Sequence, residues 1–266
     1  MSKINNAIHD IHYMDTLSSR DQWVNRIHPL VKLVLTIVYI SVTVSFHKYD
    51  VAGIAGMVIY PTAMFILADL SFKDSLKRLK LVLPLVCFVG LFNPFFDKNY
   101  MILYGVRVSA GVLSMFTLIM KGIFSVLASY LLIATTSIDS LCYALRLLRL
   151  PKALVTQFML TYRYITVLLE EVNRITQAYA LRAPNQKGVH FRAWGSLAGQ
   201  LLLRSVDRAN EVYESMLLRG YRGDYQYMKD RIAVRWQDLA YLVFWMVIFV
   251  LFRWYPVIWI VGGLFG

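Results

Sequence analysis

Residues 30–46 read LVKLVLTIVYISVTVSF, a predominantly apolar run. A helix that crosses a bilayer needs about 20 mostly apolar residues, and this run approaches that length. Further apolar runs follow along the chain, at residues 51–67, 79–96, 108–135 and from about 239 through FWMVIFVLF. The sequence therefore predicts an all-α integral membrane protein with about five transmembrane helices. It leaves open whether the last run continues beyond Arg253.

The composition indicates the same class. The chain has 266 residues, of which 58% are hydrophobic and 17% are charged. Average soluble domains have about 45–50% apolar and about 25% charged residues. Residues 1–29 are polar and lack the apolar region of a signal peptide, so we expect no cleavable signal. The two cysteines, Cys87 and Cys142, lie far apart in apolar surroundings and predict no disulfide framework.

The positive charge is unevenly distributed. The formal net charge is +12, and in a membrane protein the positive-inside rule explains such an excess before any nucleic-acid partner is considered. Lys and Arg are dense before the first run, between the second and third runs, and over residues 137–236. This alternation predicts a cytoplasmic N-terminal segment followed by four transmembrane helices within 1–136. A cytoplasmic domain over 137–236 and a C-terminal transmembrane helix within 237–266 complete the predicted organisation.

Lys121 lies near the middle of the fourth apolar run. A charge inside a membrane is costly and indicates a functional site by default. Alternatively, the span tilts or begins later, and the lysine reaches an interface. The sequence leaves both interpretations open.

Residues 137–236 predict helices that are too amphipathic to cross a bilayer alone. A short helix closes at Pro151, and a long one follows over 152–182 with apolar residues spaced by three, four and seven. Its polar face predicts an i,i+4 ion pair between Glu170 and Arg174. A second long helix is expected over about 196–219, with Gly220 placed to end it. Together these helices predict a platform beneath the membrane domain.

The two long helices have similar endings. The first ends Ala180-Leu181-Arg182-Ala183 before a proline, and the second ends Leu217-Leu218-Arg219-Gly220. A cation in the last turn stabilises a helix through its dipole by about 0.3–1 kcal/mol. The alternative is that each helix presents a guanidinium that pairs with a carboxylate on another protein.

The sequence contains no motif of a nucleotide-binding or hydrolytic site, such as GxxxxGK[ST], GxSxG or HExxH. We therefore expect no cofactor and no catalytic residues. His9 and His12 are spaced to share a helix face, but two histidines alone make a poor metal site. A membrane-embedded enzyme that uses Tyr162, Arg163 and Glu170 stays open as an alternative, as does a self-contained channel or carrier.

Four blocks of sequence carry a family resemblance. They are DTLSSRDQWVNRIHPLVKL at 15–33, LLIATTSIDSLCYAL at 131–145, RLPKALVTQFMLTYRYITVLLEEVNRITQAYALRA at 149–183 and GQLLLRSVDRANEVYESMLLRGYRG at 199–223. With these blocks the chain resembles the transmembrane (T) component of energy-coupling-factor (ECF) transporters, in their cobalt-type, CbiQ-like branch. The resemblance covers nearly the whole chain.

The resemblance implies an ATPase-coupling site. In that family, two Ala-Arg-Gly-like motifs end the coupling helices and dock on two ATPase subunits. The second motif is matched closely, and the first has Ala183 in place of the glycine, which bears on the local cap geometry. The residues implied for coupling are Ala180, Arg182, Ala183, Leu218, Arg219 and Gly220.

The resemblance also implies a function. The chain would be a non-catalytic scaffold in the inner (cytoplasmic) membrane of the cell. It would link two ATP-binding cassette ATPase subunits to a membrane substrate-binding (S) subunit for uptake of a divalent metal ion, cobalt or nickel. A T component that serves vitamin-binding S subunits is the alternative within the same class.

Overall fold

The computed structural model describes residues 2–71, 75, 80, 83–84, 86–93, 100–103, 106–184, 188–223 and 234–254. Two sets of segments form separate compact units. The membrane unit comprises Ser18–Ser137 and Arg231–Gly266, and the platform unit comprises Met1–Leu17 and Ile138–Asp230. The elements in chain order are α1 (Ser2–Ser18), α2 (Trp23–Arg26), α3 (Pro29–Ser45), α4 (Val51–Gly56), α5 (Ile59–Leu67), β1 (Tyr100–Leu103), β2 (Val106–Ser109), α6 (Ala110–Thr135), α7 (Ile138–Leu147), α8 (Lys152–Arg182), α9 (Phe191–Leu218) and α10 (Trp236–Trp254).

The predicted all-α membrane class is confirmed. Helices α6 and α10 are long and apolar enough to cross a bilayer, while α3, with 17 residues, is a shorter apolar helix. Of the predicted third span, residues 80, 83–84 and 86–93 are described, and they are helical. The residues beyond Trp254, for which the sequence left open whether the last run continues, lie outside the described residues.

Aromatic rings form the centre of the membrane unit. Tyr39 of α3, Tyr60 of α5 and Trp245 and Phe249 of α10 pack on one another, with centroid distances of 4.7 Å for Tyr39–Tyr60 and 4.9 Å for Tyr60–Trp245. The outer surfaces of the same helices expose large apolar side chains, among them Ile37, Val44, Ile66, Val247 and Val250. An apolar exterior of this extent indicates contact with lipid rather than with water.

The predicted second span consists of two helical segments, α4 and α5. Pro61 lies four residues after Met57 and has no backbone N–H to donate to the Met57 carbonyl. The buried hydroxyl of Tyr39 donates to that carbonyl instead, at 2.9 Å. Because an unpaired carbonyl in a bilayer costs several kcal/mol, this bond allows the helix to break inside the membrane unit.

A short β-hairpin precedes α6 and was not predicted. Strands β1 and β2 pair antiparallel, with Tyr100 opposite Ser109 and Leu103 opposite Val106. The sequence placed residues 100–107 in a loop and began the fourth span at residue 108, whereas α6 begins at Ala110. Among the described residues, the β-structure is confined to this hairpin.

Lys121 has a structural partner at the end of α3. Its ammonium donates to the carbonyls of Phe46 at 2.6 Å and Val44 at 3.0 Å. Val44 lies in the last turn of α3 and Phe46 directly follows it, where carbonyls lack helical hydrogen-bond partners and the helix dipole is negative. The position agrees with the interpretation that Lys121 reaches the end of a span.

The platform unit is built around the turn between α7 and α8. Cys142, Val155 and Met159 form its buried cluster, and Ile138, Leu145 and Leu150 pack against it. Burial raises the pKa of the Cys142 thiol, which makes it less reactive.

The N-terminal helix α1 belongs by its contacts to the platform unit, although the sequence grouped it with the membrane helices. The Tyr162 hydroxyl of α8 donates to the Asp15 carboxylate of α1 at 2.6 Å. Burial and this bond raise the pKa of the Tyr162 phenol well above its usual range. The phenol therefore stays protonated and holds α1 on α8.

Candidate functional site

The long helices α8 and α9 carry the predicted site at their ends. Helix α8 has the predicted bounds, whereas α9 begins at Phe191 rather than near residue 196. His190 explains the earlier start, because its Nδ1 accepts the Arg192 N–H at 3.3 Å and so caps the first turn. At about 1.5 Å per residue the helices are about 46 and 42 Å long.

An ion pair links the two helices. Arg204 of α9 donates to the Glu171 carboxylate of α8, whose side chain is largely buried. Arg174 also lies 3.9 Å from Glu171, an i,i+3 pair. The predicted ion pair between Glu170 and Arg174 was therefore wrong. Arg174 pairs instead with Glu171, the residue that also binds Arg204 of α9.

A mainly apolar groove with a volume of about 400 Å³ lies between α8 and α9. Its lining includes Leu160, Tyr164, Leu168, Val212, Met216 and Tyr221. None of the described residues of α9 is buried. Much of the apolar surface of α9 is therefore solvent-exposed within the platform unit.

Helix α8 ends without a glycine. The Ala183 N–H donates to the Tyr179 carbonyl at 3.0 Å, and Ala183 has φ −132°, outside the left-handed region. An alanine is therefore compatible with this cap, and Pro184 prevents a further helical turn. Ala180, Leu181 and Arg182 are exposed, with Leu181 at 84%.

Helix α9 ends in the glycine cap that the sequence predicts. Gly220 has φ +81°, and the Tyr221 N–H donates to the Met216 carbonyl at 3.0 Å while the Gly220 N–H donates to the Leu217 carbonyl at 2.9 Å. This pair of bonds is a Schellman motif, which favours glycine because a side chain is strained at positive φ. Leu218 is 91% exposed, and Arg219 is exposed beside it.

Both helix ends therefore present a leucine followed by an arginine. Among the residues that the structure describes, the guanidinium groups of Arg182 and Arg219 have no hydrogen-bond or ion-pair partner, unlike that of Arg204. The sequence pointed to the arginines, but the exposure of Leu181 was missed. The sequence does contain a signal for this exposure. Leu181 and Leu218 each follow an apolar-face residue, Tyr179 and Met216, by two positions, and two positions correspond to about 200° around a helix.

The residues of the enzyme alternative are not assembled into a site. Tyr162 is bound to Asp15, while Arg163 and Glu170 are exposed on α8. Tyr162 and Glu170 are eight residues apart, which is about 12 Å along a helix. Among the described residues, no three His, Cys, Asp or Glu side chains are grouped as for a metal ion.

The sequence profile of a known family matches residues 20–229, which include both helix ends and most of both units. The chain belongs to the CbiQ cobalt transport protein family. The resemblance to the T component of ECF transporters of cobalt type is thereby confirmed, and the CbiQ-family chain is a membrane protein.

Several curated relatives resemble this CbiQ-family chain. The energy-coupling factor transporter transmembrane protein EcfT of Leuconostoc gelidum subsp. gasicomitatum is 25% identical over 234 residues, which cover 80% of this chain and 84% of the relative. Nickel permease LarQ of Lactiplantibacillus plantarum is 28% identical over 44% of this chain and 43% of its own length. Cobalt transport protein CbiQ of Rhodobacter capsulatus is 29% identical over 38% and 42%. The last two alignments span less than half of either protein.

Proposed function

We propose that the chain is the non-catalytic membrane scaffold of an ECF-type importer. It couples ATP hydrolysis by two cytoplasmic ATP-binding cassette subunits to a membrane S subunit that carries a divalent metal ion, cobalt or nickel. The chain spans the inner membrane several times, with the platform unit on the cytoplasmic side. The distribution of Lys and Arg supports this orientation.

The paired helix ends carry the proposal. A leucine that becomes buried on binding contributes about 1.5–3 kcal/mol, and a guanidinium adds a directional contact with a carboxylate. The stiffness of α8 and α9 suits them to transmit the movement of a bound subunit along their length. Two such ends, one on each helix, support docking of two ATPase subunits.

The relatives support the choice of cargo. The matched family is named for cobalt transport, and LarQ is named as a nickel permease. The alignment with the EcfT relative covers most of both proteins, and the name of that relative specifies no metal. That observation favours, as the second candidate function, a T component that serves vitamin-binding S subunits.

Co-purification tests the scaffold role. An affinity-tagged chain expressed with its neighbouring genes is expected to retain two ATPase subunits and a second membrane protein. The same chain purified alone is expected to hydrolyse no ATP. ATP hydrolysis by the isolated chain, or its recovery free of ATPase subunits from cells that produce them, would contradict the proposal.

A further inference from the structure

The membrane unit contains two buried charged side chains that the coupling site does not use. Lys32 of α3 and Asp238 of α10 are each 5% exposed. They attract one another electrostatically, although most of the chain separates them in sequence. Buried charges in a membrane protein indicate a function, because their transfer from water is costly.

Asp238 joins the starts of two helices. One oxygen of its carboxylate accepts the His28 N–H at 3.1 Å, directly before α3. The other oxygen accepts the Arg235 N–H at 2.9 Å, directly before α10. A carboxylate is stabilised at a helix N-terminus, where backbone N–H groups are unpaired and the dipole is positive.

Lys32 binds the end of a third helix. Its ammonium donates to the carbonyl of Thr135, the last residue of α6, at 2.6 Å, and to the Asn25 carbonyl at 3.4 Å. A helix C-terminus has the opposite polarity and stabilises a cation. The pair Lys32 and Asp238, here called the charged clamp, therefore holds the ends of α3, α6 and α10 together.

The helix ends that the clamp binds are close in sequence to the points where the chain passes from one unit to the other. The passages are at Leu17/Ser18, Ser137/Ile138 and Asp230/Arg231. In sequence, each passage lies within about ten residues of a helix end that the clamp binds. Thr135 precedes the second passage almost directly, and Arg235 closely follows the third.

We infer that the charged clamp is the mechanical junction through which movement of the platform unit reaches the membrane helices. Lys32 and Asp238 act as positioning residues, because both are buried and hold the helix ends next to all three passages. If these helix ends were not held together, the platform unit could move without moving α3, α6 and α10. This inference rests on the proposed function and adds the residues that connect its two parts.

The test compares two clamp variants with a matched control in the complete complex, reconstituted in proteoliposomes with Co²⁺ and, in parallel, Ni²⁺. Lys32→Met and Asp238→Asn remove one charge each at similar size. Lys121→Met is the control, because it removes an ammonium that binds the C-terminal carbonyls of α3 at the opposite end, away from the passages. The measured quantity is metal ion taken up per ATP hydrolysed.

Both clamp variants are expected to lower this ratio by roughly tenfold or more, the factor that corresponds to one charge-assisted hydrogen bond. ATP hydrolysis and subunit composition are expected to persist, and Lys121→Met is expected to keep the wild-type ratio. A wild-type ratio in the clamp variants would overturn the inference. If neither clamp variant is produced as folded protein while Lys121→Met is, the clamp serves folding alone, and this result would also overturn the inference. Absence of ATP-driven uptake by the wild-type complex would instead refute the proposed function.

Discussion

Replacing Arg182 and Arg219 together by glutamate is expected to release both ATPase subunits from the complex. Each guanidinium is exposed at a helix end and without a partner among the described residues, so it is available to a carboxylate on another protein. Removing one partner of a desolvated pair costs about 2–5 kcal/mol, because the other charge stays buried and unpaired. Charge reversal adds repulsion, and lysine is expected to restore little because it lacks the planar fork.

The measurement is recovery of the ATPases in a pull-down on the tagged chain. Each single variant is expected to weaken recovery and transport, and the double variant to abolish them. Arg163→Glu combined with Arg192→Glu is the control, since it makes the same change of net charge at exposed positions of α8 and α9 away from their C-terminal ends. If the arginines only cap their helices, charge reversal costs about 0.6–2 kcal/mol of stability per helix, and the double variant recovers the ATPases at the wild-type level.

Serine substitution of Leu181 and Leu218 is expected to weaken ATPase binding by roughly tenfold to a hundredfold. The estimate follows from the burial of one leucine side chain, about 1.5–3 kcal/mol, at each docking site. Stability of the isolated chain is expected to stay unchanged, because both side chains are almost fully exposed in it.

Leu203→Ser provides the comparison for the leucines. Leu203 is 67% exposed on α9 but lies far from its C-terminal end, so its substitution is expected to leave ATPase recovery unchanged. Titration of the ATPase subunits against the immobilised chain in detergent gives the affinities. Equal affinity of wild type and the double leucine variant would exclude the leucines from the docking surface.

The elements that could be predicted from the sequence are those with a strong local signal. The long periodic stripe gave the bounds of α8, and Gly220 gave the end of α9, because helical spacing and a left-handed cap depend on nearby residues. The first span was likewise visible as an apolar run, and α3 follows it within a residue or two.

The features that could not be predicted depend on distant contacts. The break between α4 and α5 requires the hydroxyl of Tyr39 on another helix. Lys32 lies in a run that reads as apolar, and its role depends on Thr135 and Asp238, far along the chain. The attachment of α1 to the platform unit depends on Tyr162. Neither composition nor periodicity brings such residues together.

ATP-driven uptake of Co²⁺ and Ni²⁺ into proteoliposomes, with each component omitted in turn, tests the scaffold function most directly. The complete set of this chain, both ATPase subunits and the S subunit is expected to accumulate one of the two ions. Omission of this chain is expected to abolish uptake, and this chain alone is expected to accumulate neither ion. Uptake that persists without this chain, or uptake of either ion by this chain alone, would contradict its role as a scaffold.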